Sequence, residues 1–245
     1  MIKSMAVLMV FLCGCSKPPE FKHVIFITID TLRRDHVPAY NEMFQVNAPG
    51  LERLNKDSVR FDDAWSPISV TGPAFSSMLT GLTPSEHGVL INVFRGGTPL
   101  SEEHETIAEV LASKGYETAA FLSGYTLRKE SGTGQGFALY DAPETHRRIA
   151  RLTTDATIEW LSQKKEKPVF LWYHTYDAHG PLRRWEVLEP PEGFRTGDQS
   201  RIPEYQRIDD YNDPRLYKKK YRMAVRWSYN QADRVIEQLI ASGMY

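Results

Sequence analysis

Three short, mostly apolar runs set the strongest limit on what this chain can fold into: Val24 to Ile29, Glu117 to Leu122 and Pro168 to Tyr173. The first reads Val-Ile-Phe-Ile-Thr-Ile, continuous and β-branched, which is the pattern of a buried parallel strand. Parallel strands need crossovers long enough to hold a helix, and the intervening segments supply them. Pro49 to Asp57 suggests a short helix. A second starts at Thr71, with Pro73 in its first turn and Gly81 as its stop. Glu105 to Ser113 is a third, stopped by Gly115. Ile149, Leu152, Ala156, Trp160 and Leu161 share one helical face. A last helix, from about Tyr217 to Ala241, buries Tyr221, Ala224, Val225, Ala232, Val235, Ile236 and Leu239, and Gly243 ends it. Val59 to Phe61 and Leu90 to Phe94 are expected as brief strands. Arg183 to Pro214, rich in Pro, Gly and charge, is expected as a long surface excursion. Strands alternating with helices predict an α/β fold, a mainly parallel sheet covered on both faces.

At 245 residues one such domain is the simplest expectation, and 41% hydrophobic with 25% charged residues is ordinary for a globular protein. A formal net charge of −1 gives no electrostatic case for nucleic acid as a partner. The N-terminus differs in kind. Lys3 precedes an apolar stretch, Ala6 to Leu12, too short to span a bilayer and ending at Leu12-Cys13-Gly14-Cys15. This resembles the lipobox of bacterial lipoproteins and predicts a signal peptide over 1–15, with Cys15 as the lipidated residue, and a tether over 16–23. The expected location is the bacterial periplasm or cell envelope, with an acyl anchor to the membrane at Cys15. Ser16 after the cysteine favours the outer membrane. An ordinary signal peptide is the alternative. Both cysteines lie in this segment, so the remainder can form no internal disulfide.

In a parallel sheet, ligands collect at the carboxyl ends of the strands. Asp30 ends the first run, and His174, Asp177 and His179 follow the run that closes at Tyr173. Thr71 opens a helix, where free backbone N–H groups and the positive end of the dipole suit an oxyanion. A hydroxyl beside an anion hole and a carboxylate metal ligand suggests ester hydrolysis or transfer. The bland alternatives stand beside these: Thr71 as an ordinary cap, Asp30 as a turn residue, His179 as an exposed turn histidine. His87-Gly88 reads as a structural turn, and the glycine-rich Gly132 to Gly136 as a flexible loop without the context of a phosphate loop.

These residues resemble a known family. Ile27-Thr28-Ile29-Asp30-Thr31-Leu32-Arg33-Arg34-Asp35-His36 is similar to the opening motif of the sulfatases, within the alkaline phosphatase superfamily. Thr71-Gly72-Pro73-Ala74, then Leu79-Thr80-Gly81, Pro84 and His87-Gly88, resembles that family's nucleophile signature. Phe170 to His179 and the helix with Tyr229 and Asp233 match later segments, so the resemblance runs over 24–245. It implies a three-layer α/β/α sandwich, alkaline phosphatase-like, with a divalent metal, calcium or zinc, at the strand ends. Asp30 and Thr71 would be metal ligands, Thr71 the nucleophile and His179 catalytic near the leaving group. His174 and Asp177 would be substrate-binding. Sulfatases carry Cys or Ser at the nucleophile position, oxidised to formylglycine, and no formylglycine is expected at Thr71. Their arginine four residues on is here Phe75. Threonine nucleophiles belong to the superfamily's phosphodiesterases and phosphoethanolamine or phosphoglycerol transferases. The implied activity is therefore metal-dependent hydrolysis of sulfate or phosphate esters, with Thr71 favouring phosphate, on a small-molecule, glycan or lipid ester. An envelope phosphotransferase, or a non-catalytic anion- or glycan-binding remnant, is the alternative. The family continues past the position of Tyr245 into a strand with an Asp-His metal pair, so the resemblance further implies a C-terminally truncated chain, weak in metal and with an unfinished sheet edge.

Overall fold

The computed structural model describes residues 22–180 and 194–245. The segment expected as a lipobox, with Cys15, and the first part of the expected surface excursion lie outside the described residues.

Four strands form one sheet: β1 (Val24–Ile29), β2 (Glu117–Leu122), β3 (Leu139–Asp141) and β4 (Val169–Thr175). Their order is β1-β4-β2-β3, and every pair is parallel. The register pairs Ile29 with Thr175 and Leu122 with His174, so the carboxyl ends of three strands lie side by side. Successive side chains leave opposite faces of a strand, and β4 divides accordingly. Val169, Leu171 and Tyr173 face a core shared with α5 (Ala150–Leu161) and α6 (Pro214–Ala241). Phe170 and Trp172 lie on the other face, where Trp172 packs with Phe75 and Leu79 of α2 (Thr71–Thr80). Two helical layers around a parallel sheet make the α/β/α sandwich expected from the sequence. The remaining helices are α1 (Pro49–Asp57), α3 (Pro84–His87) and α4 (Ile107–Ser113). None of the helices in the described residues is long and apolar enough to cross a membrane.

Several expectations are corrected. β1 is half-buried along its whole length, because among the described residues β4 alone flanks it. Val59 to Phe61 is not a strand. Val59 and Phe61 are 81% and 70% exposed, and with no neighbouring strand among the described residues to supply a hydrogen-bond ladder, β-branching alone holds nothing. Leu90 to Phe94 is not a strand either: Val93–Arg95 closes a 3-10 turn that stops at Gly96. On α5, Leu152 is 46% exposed, and the buried face is built from Thr153, Thr154 and Thr157 beside Trp160 and Leu161. Thr154 and Thr157 return their hydroxyl protons to the carbonyls of Ala150 and Thr153, which lets a polar residue face a core. Gly132 to Gly136 is packed rather than loose. At Gly136, with φ of +79°, a Cβ would meet the Glu109 nitrogen at 2.2 Å.

Candidate active site at the carboxyl ends of the strands

Asp30 follows β1 directly, and its N–H donates to the Thr175 carbonyl at 3.0 Å, tying it to the end of β4. The chain then turns through Thr31 at φ +54°, a left-handed conformation costly for a β-branched residue. Tyr221 of α6 braces this turn. Its hydroxyl donates to the Thr31 carbonyl at 2.7 Å and accepts the Arg33 N–H at 2.9 Å. The turn directs the Asp30 carboxylate at α2, where the Thr71 hydroxyl donates to Oδ2 at 3.2 Å. Burial pushes the Asp30 carboxyl up to about 7, against the downward pull of the Thr71 hydrogen bond.

The expected anion hole at the start of α2 is largely closed. Gly72 N–H donates to Asn92 Oδ1 at 2.7 Å, Pro73 has no N–H, and Ala74 N–H donates to the Val70 carbonyl at 3.0 Å. A Cβ at Gly72 would stand 2.8 Å from Asn92 Oδ1 and push that side chain away from the Gly72 N–H. Phe75, where the resemblance expects arginine, is a core residue, its ring 5.0 Å from both Trp172 and His174.

His174 is fully buried behind Asp30 and does not line the cavity, contrary to a substrate-binding role. The Thr28 hydroxyl sits 3.0 Å from His174 Nδ1, accepts Trp172 Nε1–H at 3.1 Å and donates to the Tyr173 carbonyl at 3.3 Å. With its single proton so committed, Thr28 accepts from Nδ1–H, and the basic nitrogen of His174 is Nε2. That atom has no hydrogen-bond partner and lies 3.8 Å from Asp30 Oδ2. Burial lowers the ring to about 3, with His179 adding to the effect. A buried carboxylate and a bare imidazole nitrogen facing each other fit a cation between them, since two metal–ligand bonds of about 2 Å each span such a gap. Asp30 and Thr71 therefore fit the divalent metal that the motif implies, with His174 Nε2 as a third donor. Among the described residues no three His, Cys, Asp or Glu side chains gather as a metal-binding group.

Asp177 departs from its expected substrate contact. Its Oδ2 accepts the Ala150 N–H at 2.7 Å and so holds the start of α5, away from the cavity lining. His179 does line the cavity. Its Nδ1 lies 2.6 Å from the Gly180 carbonyl, which can accept only, so Nε2 is its basic nitrogen. The ring stacks on Tyr176 with centroids 4.4 Å apart. Burial lowers its pKa, and the positive charges of Arg147 and Arg95 lower it further, leaving a neutral imidazole at pH 7. His87 is structural: Nδ1 accepts the Val89 N–H at 3.1 Å, so Nε2 carries the proton given to Ser77 Oγ at 2.9 Å.

The cavity beside Thr71 encloses about 580 Å³ and is lined further by Arg95, Tyr125, Arg147 and Tyr176. Sequence reasoning missed these residues and Asn92. Each lies in an aperiodic turn, and the one visible signal was the basic run His146-Arg147-Arg148 before α5.

The Sulfatase family model matches residues 22–242. Human arylsulfatase A is 25% identical over 225 residues, covering 68% of this chain and 42% of that protein. Among solved structures, a putative sulfatase from Bacteroides thetaiotaomicron superposes with a TM-score of 0.68 at 19% identity, covering 90% of this chain and 55% of the other. The phosphonate monoester hydrolase of Agrobacterium radiobacter gives a TM-score of 0.64 at 16% identity, covering 91% and 60%. The chain thus spans about half the length of these relatives.

Proposed function

The chain belongs to the sulfatase family, and from that premise we propose that it carries the nucleophile of a metal-dependent ester hydrolase centre that favours phosphate. The observation that supports this is the Thr71 hydroxyl, on the cavity wall, donating to the buried carboxylate of Asp30 at 3.2 Å. As Thr71 Oγ bonds to phosphorus its proton passes along the hydrogen bond to Asp30, and the ester oxygen leaves as the alkoxide, which takes a proton from solvent to become the alcohol. Water then attacks the phosphothreonine. His179 Nε2, neutral at pH 7, takes the water's proton and then releases it to solvent, and Asp30 returns its own to Thr71 as inorganic phosphate departs. Asp30 and Thr71 with His174 would hold a divalent cation, calcium or zinc, which would supply positive charge favouring the Thr71 alkoxide and offsetting charge on the transferred group; Asp30 would then serve as its ligand and not as the proton acceptor. Threonine cannot be converted to formylglycine, which favours phosphorus over sulfur.

The lipobox at Leu12 to Cys15 supports an exported protein held at the bacterial envelope by an acyl chain on Cys15, the outer membrane being favoured by Ser16. Radiolabelled palmitate incorporated into the wild type and absent from Cys15→Ser tests this part.

The catalytic reading is tested with aryl phosphate, phosphodiester and sulfate substrates in the presence of Zn²⁺, Ca²⁺ or Mn²⁺. Phosphate-ester turnover that disappears in Thr71→Ala is expected. Turnover of sulfate alone overturns the preference for phosphorus, and retained glycan binding without turnover of any ester favours a binding module.

A further inference from the structure

The cavity beside Thr71 is not neutral. Arg95, Arg147, His146 and His179 contribute to its lining, and none of the described lining residues is acidic. Both guanidinium-bearing residues line the same cavity as His179. Arg147 is fixed there by donating to the His179 carbonyl. The Arg95 guanidinium lies 5.5 Å from the ring centroid of its neighbour Phe94 and has no carboxylate partner among the described residues. Two arginines focus a positive potential into a concave space. Guanidinium forks suit sulfate, phosphate and carboxylate oxygens.

A line of rings runs along the same cavity. Phe94 meets Tyr125 at 5.1 Å, Tyr125 meets Tyr176 edge-on at 6.5 Å, and Tyr176 stacks on His179 at 4.4 Å. Such a surface takes the flat face of a sugar or aryl ring. The rings come from turns after β2, after β4 and after α3, so the fold assembles the surface from three separate crossovers.

We infer that Arg95 and Arg147 form a second anion subsite, selecting an ester whose ring-bearing alcohol carries another anionic group, as a doubly charged saccharide does. This rests on the reading of Thr71 as the ester-cleaving residue. The ester phosphate would sit at Thr71, the ring along Phe94, Tyr125 and Tyr176, and the second anion at the arginines. The closed helix start explains the need: with the Gly72 N–H taken by Asn92, side chains must supply the positive charge that backbone groups otherwise offer.

The test is calorimetric binding of phenylphosphonate and of 4-phosphonobenzoate to the whole chain, in the wild type, Arg95→Gln and Arg147→Lys. Neither ligand can be hydrolysed, so the readout is independent of turnover. The wild type is expected to bind the carboxylated ligand about tenfold more tightly or better, the range of a charge-assisted fork. In Arg95→Gln, and in Arg147→Lys where the fork is lost but the charge kept, the ratio of the two affinities falls towards one. Equal affinities in the wild type, a ratio unmoved in both variants, or no binding of either ligand overturns the subsite. Repeating the pair in Thr71→Ala separates the two claims. A preference that persists there, with no turnover by the wild type, removes the hydrolase reading and leaves the subsite standing.

Discussion

Replacing Asp30 by asparagine is expected to stabilise the metal-free protein at pH 8. Burial lifts this carboxyl from 3.8 to about 7. A folded-state pKa above the unfolded one means that the native protein holds the proton more tightly. Stability from this group is therefore full below 3.8, falls as pH rises towards 7, and is flat beyond. At ~1.4 kcal/mol per unit, a rise of about three units costs the fold about 4 kcal/mol at pH 8. Asparagine carries no charge to desolvate, and its Oδ1 can still accept the Thr71 hydroxyl. Allowing for water entry around a charged Asp30, the gain is about 2–4 kcal/mol at pH 8 and less than half that at pH 5. Urea unfolding in EDTA at both pH values, followed by tryptophan fluorescence, measures it. Calcium or zinc should raise the wild-type midpoint and leave that of Asp30→Asn unmoved. An Asp30→Asn protein less stable than the wild type at pH 8, or a difference independent of pH, refutes the argument.

Three other substitutions probe the scaffold. Asp177→Ala strands the buried Ala150 N–H at the start of α5 and should cost about 1–3 kcal/mol in urea unfolding. Altered ligand affinity with unaltered stability would instead return Asp177 to a binding role. Thr154→Val leaves the buried Tyr173 hydroxyl without its 2.6 Å partner, with a similar cost of about 1–3 kcal/mol. A neutral result there would show the threonine face of α5 to be mere filler. Burial holds the His87 ring below its ordinary pKa of 6.5, so its stabilising effect is complete above 6.5 and lost as pH falls below it. His87→Gln should flatten the fall in melting temperature between pH 7.5 and 5, and an unchanged slope counts against a buried neutral ring.

The parts of the fold that were legible in the sequence are those specified locally. The strand Val24–Ile29 is a continuous apolar run, and the helix Pro49–Asp57 carries proline in its first turn. Gly81 at φ +74° closes α2 where its sequence said it would. What was illegible depends on partners distant in the chain. Val59 to Phe61 has strand-forming residues but, among the described residues, no strand beside it. The face of α5 was misread because hydropathy counts threonine as polar, although a hydroxyl bonded to its own helix packs as a small apolar group. At the site, Asp30 and Thr71 could be paired on paper, since each sits at an element boundary and opens a motif. Asn92 could not, because its part is to take the Gly72 N–H from a turn twenty residues downstream.

That one side chain shapes the chemistry of the whole site. A helix start normally offers an oxyanion several N–H groups at fixed positions, indifferent to the rest of the ligand. Here glycine, proline and Asn92 between them close most of that offer. On the proposed hydrolase reading, negative charge gathered during transfer would then be met by side chains and a cation. Backbone donors cannot be mutated away, whereas Arg95 and Arg147 can. A site that relies on them ties recognition of the leaving alcohol to stabilisation of the reacting group, because the same field serves both. Asn92→Ala separates the two. It frees the Gly72 N–H, so affinity for inorganic phosphate should rise while the preference for a second anion falls. Both are readable by calorimetry on one protein. Phosphate affinity that drops in Asn92→Ala would mean that Asn92 itself binds the anion and that the helix start was never the competing site.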